Sequence, residues 1–205
     1  MINSVIIGLG GCSGSGKTTV SRIIQSSSEV TIISLDNFYK GLLDEDKLHP
    51  ELYNFDEPGA IDFEYCINCL KELKMGNSVS IPVYDFKTHS RLEDQMLTIV
   101  PNKIIILEGI LIYANDDLRK LFDVKIYVEA TEATCIFRRL ERDIRDRGRT
   151  LDFVRGQYKM FVEPAFHLYI EPYKKQVDLI IYNNDHNNFI GVKILSKYIN
   201  NILLT

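Results

Sequence analysis

The sequence predicts an α/β fold, a parallel β-sheet flanked by helices on both faces, and three observations predict it. Short β-branched, apolar runs recur along the chain; helical stretches separate them; and the first run ends in a glycine-rich loop that opens a helix. At 205 residues, with 25% charged and 45% hydrophobic residues, the composition fits one ordinary globular domain, residues 1–205.

Each element follows in order. Ser4 to Leu9 is a buried strand and Lys17 to Gln25 a helix behind it. Val30 to Leu35, Lys103 to Leu107 and Val124 to Val128 repeat the strand pattern, and Leu179 to Tyr182 is a shorter fifth. Apolar runs without alternation belong to strands covered on both faces, and crossovers through the intervening helices make them parallel. Ser80 to Tyr84 and Met96 to Val100 break the rhythm: two short extended runs joined by a polar segment, expected as a β-hairpin insertion at about 79–101. Thr131 to Arg147 reads as an arginine-rich helix, and Leu151 to His167 continues past a break at Gly148; together they give an arginine-rich helical lid at about 138–158. Phe189 to Leu204 has helical periodicity and closes the fold.

Charge and composition exclude some functions. A net charge of −4 argues against nucleic-acid binding, which needs a basic face to release counterions. Val5 to Leu9 is too short to span a bilayer and has no basic flank, so neither a membrane segment nor a signal peptide is expected. Cys12, Cys66, Cys69 and Cys135, without a secretory signal, point to a reducing, cytoplasmic location. Cys66 and Cys69 spell C-x-x-C, but with Tyr65, Leu70 and Leu73 they fall on the apolar stripe of a helix, as core residues do.

Gly11-Cys12-Ser13-Gly14-Ser15-Gly16-Lys17-Thr18 matches G-x-x-x-x-G-K-[ST] and lies between a buried strand and a helix, where that motif works. Its glycines let backbone N–H groups turn toward phosphate oxygens, the helix N-terminus adds positive potential, Lys17 reaches the outer phosphates, and Thr18 offers a hydroxyl to Mg²⁺. Thr19 completes the nucleotide-binding stretch. The sheet is therefore of the P-loop NTPase type, with ATP or GTP as the expected phosphate donor. The GTPase reading fails on its other marks: Asp56-Glu57-Pro58-Gly59 spells D-x-x-G but follows no buried strand, and Asn102-Lys103 runs into Ile104-Ile105 instead of N-K-x-D.

In such sheets ligands bind at the carboxyl ends of the strands, so acids placed there are candidates for chemistry. Asp36 ends the second strand and Glu108 the third. A carboxylate beside the γ-phosphate can take the proton of an attacking hydroxyl, and another can hold Mg²⁺. Asp36 is the expected base, and Thr18, Asp36 and Glu108 are the expected metal side. Arg138, Arg139, Arg142, Arg145, Arg147 and Arg149 crowd one segment, where like charges repel unless an anion intervenes. An ideal helix would align Arg138, Arg142, Arg145 and Arg149, with Asp143 and Asp146 offering partial pairing.

Beyond the P-loop, the chain resembles the uridine kinase (uridine-cytidine kinase) family along its whole length. The resemblance rests on Asp36-Asn37-Phe38-Tyr39, Asn54-Phe55-Asp56, Tyr84-Asp85-Phe86 with His89 and Arg91, Glu108-Gly109-Ile110-Leu111, Arg142-Asp143 with Arg147-Gly148-Arg149, Gln157-Tyr158 and Glu171-Pro172. It implies a kinase acting on uridine and cytidine, with Asp36 as base and Lys17, Arg142 and Arg147 around the transferred group. Arg139, Arg147 and Arg149 would close over ATP. Asp56 with Arg142 would hold the ribose, Gln157 would help fix the sugar, and Tyr39, Phe55, Tyr84, Phe86, His89 and Ile110 would form the base pocket. A homotetramer with feedback inhibition by pyrimidine triphosphates is also implied.

Two departures stand out: Glu57-Pro58-Gly59 where the family usually has His-Pro-Asp, and Asn183 where it commonly has proline. The alternatives that stay open are a phosphoribulokinase-like or pantothenate kinase-like enzyme, and a catalytically silent nucleotide-sensing module.

Overall fold

The computed structural model of the chain describes residues 4–43, 45–184 and 190–204. Five parallel strands form the sheet: β1 (Val5–Gly10), β2 (Val30–Ser34), β5 (Ile104–Glu108), β6 (Val124–Glu129) and β7 (Leu179–Tyr182), in the order β2-β5-β1-β6-β7. The two-stranded hairpin of β3 (Val79–Asp85) and β4 (Ser90–Ile99) stands apart from it.

The strands read as unbroken apolar runs because both faces are covered. Ile6, Ile105, Leu107 and Tyr127 point to one face, toward α2 (Phe63–Lys74) and Leu118 of the short α3 (Asp116–Arg119). Ile7, Leu9, Ile104, Ile106, Ile126 and Val128 alternate to the other, against α1 (Lys17–Ser27) and α7 (Ile190–Leu204). This period of two places every second residue in a different core, each such side chain adding about 1.5–3 kcal/mol by its burial. Of the C-terminal helix expected from Phe189, the stretch from Ile190 is observed, and Phe189 lies outside the described residues. Cys66 and Cys69 sit on the buried side of α2, among Leu70 and Leu73.

Two elements depart from their sequence expectation. The second hairpin strand begins at Ser90, well before Met96: Ser90 and Arg91 pair with Asp85 and Tyr84, but the residues up to Gln95 are polar except for Leu92 and so carry no apolar alternation to read. The arginine helix, α4 (Glu132–Arg145), is capped by the Thr131 hydroxyl accepting from Thr134 N, and it stops before Arg147. Gly148 then adopts φ 67°, a left-handed turn that carries the chain into α5 (Leu151–Gln157). From there the helix runs on through a π-helical turn (Tyr158–Val162), the single turn α6 (Glu163–Ala165) and a second π-helical turn (Phe166–Ile170).

Candidate active site

The carboxyl ends of β1, β2 and β5 open into a cleft enclosing roughly 640 Å³ of space, open solvent at its mouth included. The P-loop forms its floor. Gly14 has φ 86°, and a Cβ there would overlap the Cys135 carbonyl of α4, so only glycine serves. Lys17 is buried, its Nζ donating to the carbonyls of Gly11 (3.1 Å) and Cys12 (3.0 Å), which keeps the ammonium curled over the loop. Ser13, Lys17 and Thr18 face the cavity, whereas Thr19 is exposed on the outer side of α1.

Asp36 and Glu108 line the same cavity: Glu108 is the last residue of β5, whereas β2 stops at Ser34 and Asp36 sits two residues beyond it, in a single 3-10 turn (Leu35–Phe38) whose N–H at Asp36 donates to the Ser34 hydroxyl. The Thr18 hydroxyl donates to Glu108 Oε1 at 3.0 Å. Burial pushes the Glu108 carboxyl above the usual glutamate value, Lys17 pulls it back, and Asp36 raises it again. This donor set suits Mg²⁺, which takes one or two carboxylates and fills its remaining positions with phosphate oxygens and water.

The opposite wall is aromatic. Tyr39, Phe55, Phe86, His89 and Ile110 line it. His89 stacks on Phe55 with centroids 4.6 Å apart and has φ 55°, a strained conformation for a residue with a Cβ. Burial, then the charges of Arg149 and Arg147, hold its imidazole down to about 4, so it is neutral in ordinary buffers. Tyr84 alone of the expected base-pocket residues does not line the cavity; it lies behind, 5.1 Å from Tyr39 and 5.2 Å from Phe86 between ring centroids. Arg91 braces this wall from outside, donating to the carbonyls of Tyr39 and Phe38.

The arginines do not share one helical face. Arg139, Arg142, Arg147 and Arg149 line the cavity, whereas Arg138 donates to the Asn183 carbonyl and Arg145 pairs with Asp146 at the surface. The reason is the end of α4 before Arg147, which swings the last two inward. All four converge on Asp143, which is fully buried: Arg142 approaches at 2.8 Å, Arg147 at 3.2 Å, Arg149 at 3.4 Å and Arg139 at 3.6 Å. Burial raises the Asp143 carboxyl, but the four guanidinium charges outweigh that, and its pKa falls below the usual aspartate value. Arg147 also lies 3.8 Å over the Phe86 ring, and burial, with Arg142 beside it, brings its pKa to about 10.

Asp56 is buried and meets Arg139 at 3.5 Å, while Arg142, which lines the same cavity, donates to the Ser13 hydroxyl. Gln157 lines the cavity, yet its amide nitrogen donates to the carbonyls of Pro50, Glu51 and Tyr53, tying α5 to the loop before Phe55.

Sequence reasoning missed three supports. Asp143 was credited only with partial pairing, and its signal was the density of arginine around a lone acid. Glu57 accepts from the Asn54 amide, whose oxygen in turn accepts from Asp56 N, so the departure at Glu57 stiffens the loop holding Asp56. Asn183, buried, donates to the Ser15 carbonyl at 2.8 Å and clamps the P-loop, a contact that proline could not make.

Compared with known proteins, residues 6–189 match the model of the Phosphoribulokinase / Uridine kinase family. The chain belongs to that family. It is 42% identical over 200 residues to uridine-cytidine kinase A of Dictyostelium discoideum, covering 96% of this chain but 39% of that protein. It is 41% identical over 210 residues to the uridine kinase of Brevibacillus brevis, covering 100% of this chain and 96% of that one. Among solved structures, phosphoribulokinase from Rhodobacter spheroides superposes with a TM-score of 0.67 at 16% identity, over 89% of this chain and 71% of that one. The D-glycerate 3-kinase of Cryptococcus neoformans gives 0.62 at 17% identity, over 82% and 80%. At such identities these two speak for the kinase fold of the family and leave the acceptor open.

Proposed function

We propose that the chain transfers the γ-phosphoryl group of ATP to the 5'-hydroxyl of uridine or cytidine, yielding the nucleoside monophosphate. The observation that carries this reading is a single cavity with a P-loop, two strand-end carboxylates and an arginine cluster on one side and, on the other, an aromatic wall with a neutral histidine. The uridine kinases of Brevibacillus brevis and Borrelia duttonii, each matched over at least 95% of its own length, support it.

In this reading Lys17 leaves the loop carbonyls for the outer phosphates, and Arg142, Arg147 and Arg149 neutralise charge on the group in transfer. Asp36 accepts the proton of the 5'-hydroxyl as the oxygen attacks phosphorus. Mg²⁺, held on the side of Thr18, Asp36 and Glu108, would supply charge neutralisation on the phosphates. Asp56, fixed by Arg139 and the Asn54 turn, accepts from the ribose hydroxyls. Phe55 and Phe86 flank the pyrimidine, and His89, being neutral, can either donate to or accept from its polar edge. A sugar phosphate or pantothenate has no use for that wall, which disfavours both related acceptors. The proposal includes a homotetramer in the cytoplasm, with light scattering as the check on assembly; among the described residues no helix is long and apolar enough to cross a membrane.

The deciding experiment measures ADP release from Mg-ATP with uridine, cytidine, adenosine, deoxycytidine, ribulose 5-phosphate or pantothenate as acceptor. Turnover confined to uridine and cytidine is expected. Turnover on ribulose 5-phosphate or pantothenate alone would move the acceptor, and ATP binding without turnover on any of the six would favour a nucleotide sensor.

A further inference from the structure

Cys12 lies within the P-loop and Cys135 in the first half of α4, 123 residues further along the chain, yet their sulfur atoms are 2.7 Å apart. Both are free thiols. Both also line a second cavity of roughly 740 Å³ on the far side of the loop, walled by Tyr127, Glu129, Tyr158 and Phe166, which gives a small molecule a route to the pair. We propose that Cys12 and Cys135 form a reversible dithiol–disulfide site, oxidised by a peroxide, that ties the phosphate-binding loop to the arginine-bearing helix.

The two thiols are unequal in a useful way. The hydrogen bond from Cys135 and the charge of Lys17 favour the Cys12 thiolate against the cost of burial, so Cys12 is the nucleophile. That same bond, together with burial, holds the proton on Cys135. In the first step the Cys12 thiolate attacks one peroxide oxygen, the O–O bond breaks, and the sulfur leaves as a sulfenic acid while the other oxygen departs as water after taking a proton. The sulfur of Cys135 then attacks the sulfenic sulfur, the S–O bond breaks, and the hydroxyl leaves as a second water with the Cys135 proton. The balance is two thiols and one hydrogen peroxide giving one disulfide and two waters. A disulfide needs about 2.05 Å between sulfurs, so each has only a few tenths of an ångström to travel.

The other cysteine pair supplies the contrast. Cys66 and Cys69 stand in the core of α2, and burial raises both thiols, Cys69 to about 11. They are closer in sequence but line neither of the two cavities described, so sequence proximity misidentifies the reactive pair.

The consequence falls on nucleotide binding. Cys12's own carbonyl accepts from Lys17, Gly14 packs on the Cys135 backbone, and Arg139 and Arg142 follow Cys135 along α4. A covalent bond here fixes the loop to α4 at the point where it must wrap phosphate, so that the two can no longer adjust independently as nucleotide enters. This inference rests on the reading that the P-loop binds Mg-ATP and is independent of which acceptor the enzyme takes.

The test treats the purified chain with sub-millimolar hydrogen peroxide, maps cross-links by mass spectrometry of a non-reduced digest, and titrates Mg-ATP by calorimetry. Expected are a Cys12–Cys135 linked peptide, two hydrogens lighter than its reduced parts, and a rise of at least about tenfold in the Kd for Mg-ATP. Dithiothreitol should reverse both. Cys135→Ala should give neither link nor reversible loss, with Cys135→Ser as the second replacement should alanine prevent folding, while the Cys66→Ser/Cys69→Ser double variant should keep both effects. Absence of the linked peptide, or a linked protein that binds Mg-ATP as the reduced one does, would overturn the proposal.

Discussion

The P-loop and the arginine cluster turn cations into one cavity, but they are held there by different means. Lys17 is positioned by backbone: glycine φ values, two carbonyls, and the Asn183 clamp on Ser15. Arg139, Arg142, Arg147 and Arg149 are positioned by one buried carboxylate, Asp143. A site built on backbone fails when an atom is added; a site built on a shared counter-ion fails when a charge is removed. The first kind is contiguous in sequence, and the second is assembled from a helix and the turn after it.

The largest effect is expected where the two regions meet, at Asp36. Asp36→Asn should lower turnover by about two to four decades with Mg-ATP affinity nearly intact, measured by steady-state kinetics beside calorimetry. Unchanged turnover would remove Asp36 from the chemistry and leave the two regions without a shared reacting group.

Asp143→Asn tests the charge-held side directly. Removing one partner of a buried ionic cluster costs about 3–5 kcal/mol, so the urea midpoint should fall steeply and turnover with it. If the variant unfolds like the parent, the arginines are held by something else and the comparison breaks. Gly14→Ala tests the backbone-held side: a positive φ and an overlap with the Cys135 carbonyl should cost about 1–3 kcal/mol, seen chiefly as weaker Mg-ATP binding.

A smaller effect should separate acceptors. Asp56→Ala should reduce kcat/KM for uridine about tenfold more than for 2'-deoxyuridine, since a hydrogen bond to a charged group contributes about 1.5–3 kcal/mol. Equal losses on both would take Asp56 away from the ribose.

The smallest is a pH effect at His89. Its folded-state pKa of about 4 lies below the free value of 6.5, so between those two values the unfolded chain binds a proton that the folded chain does not. Stability should therefore fall as pH drops from 6.5 toward 4 and be flat in this respect above 6.5. His89→Phe should flatten that slope in pH-dependent urea titrations, and an unaltered slope would assign the loss to other groups.

Much of this was legible in the sequence because its signals are local. The P-loop is eight consecutive residues whose spacing states its geometry, and the strands announce themselves because burial on both faces leaves no room for polar residues. Asp36 and Glu108 were readable for a related reason: finding an apolar run fixes where its strand gives out, at Glu108 itself and two residues before Asp36. The hairpin strand from Ser90 was not readable, since an edge exposed to water selects no apolar pattern.

The sequence by itself therefore determined the sheet, the loop that binds phosphate and the two acids at its rim, all set by neighbours along the chain. The tertiary structure alone decided which arginines face the cavity, that Asp56 pairs with Arg139, that Asn183 clamps the P-loop, and that Cys12 meets Cys135 while the C-x-x-C pair sits in the core. Those contacts join residues brought together by where α4 ends and how it packs on the P-loop, and packing of distant segments leaves no periodicity in the sequence to read.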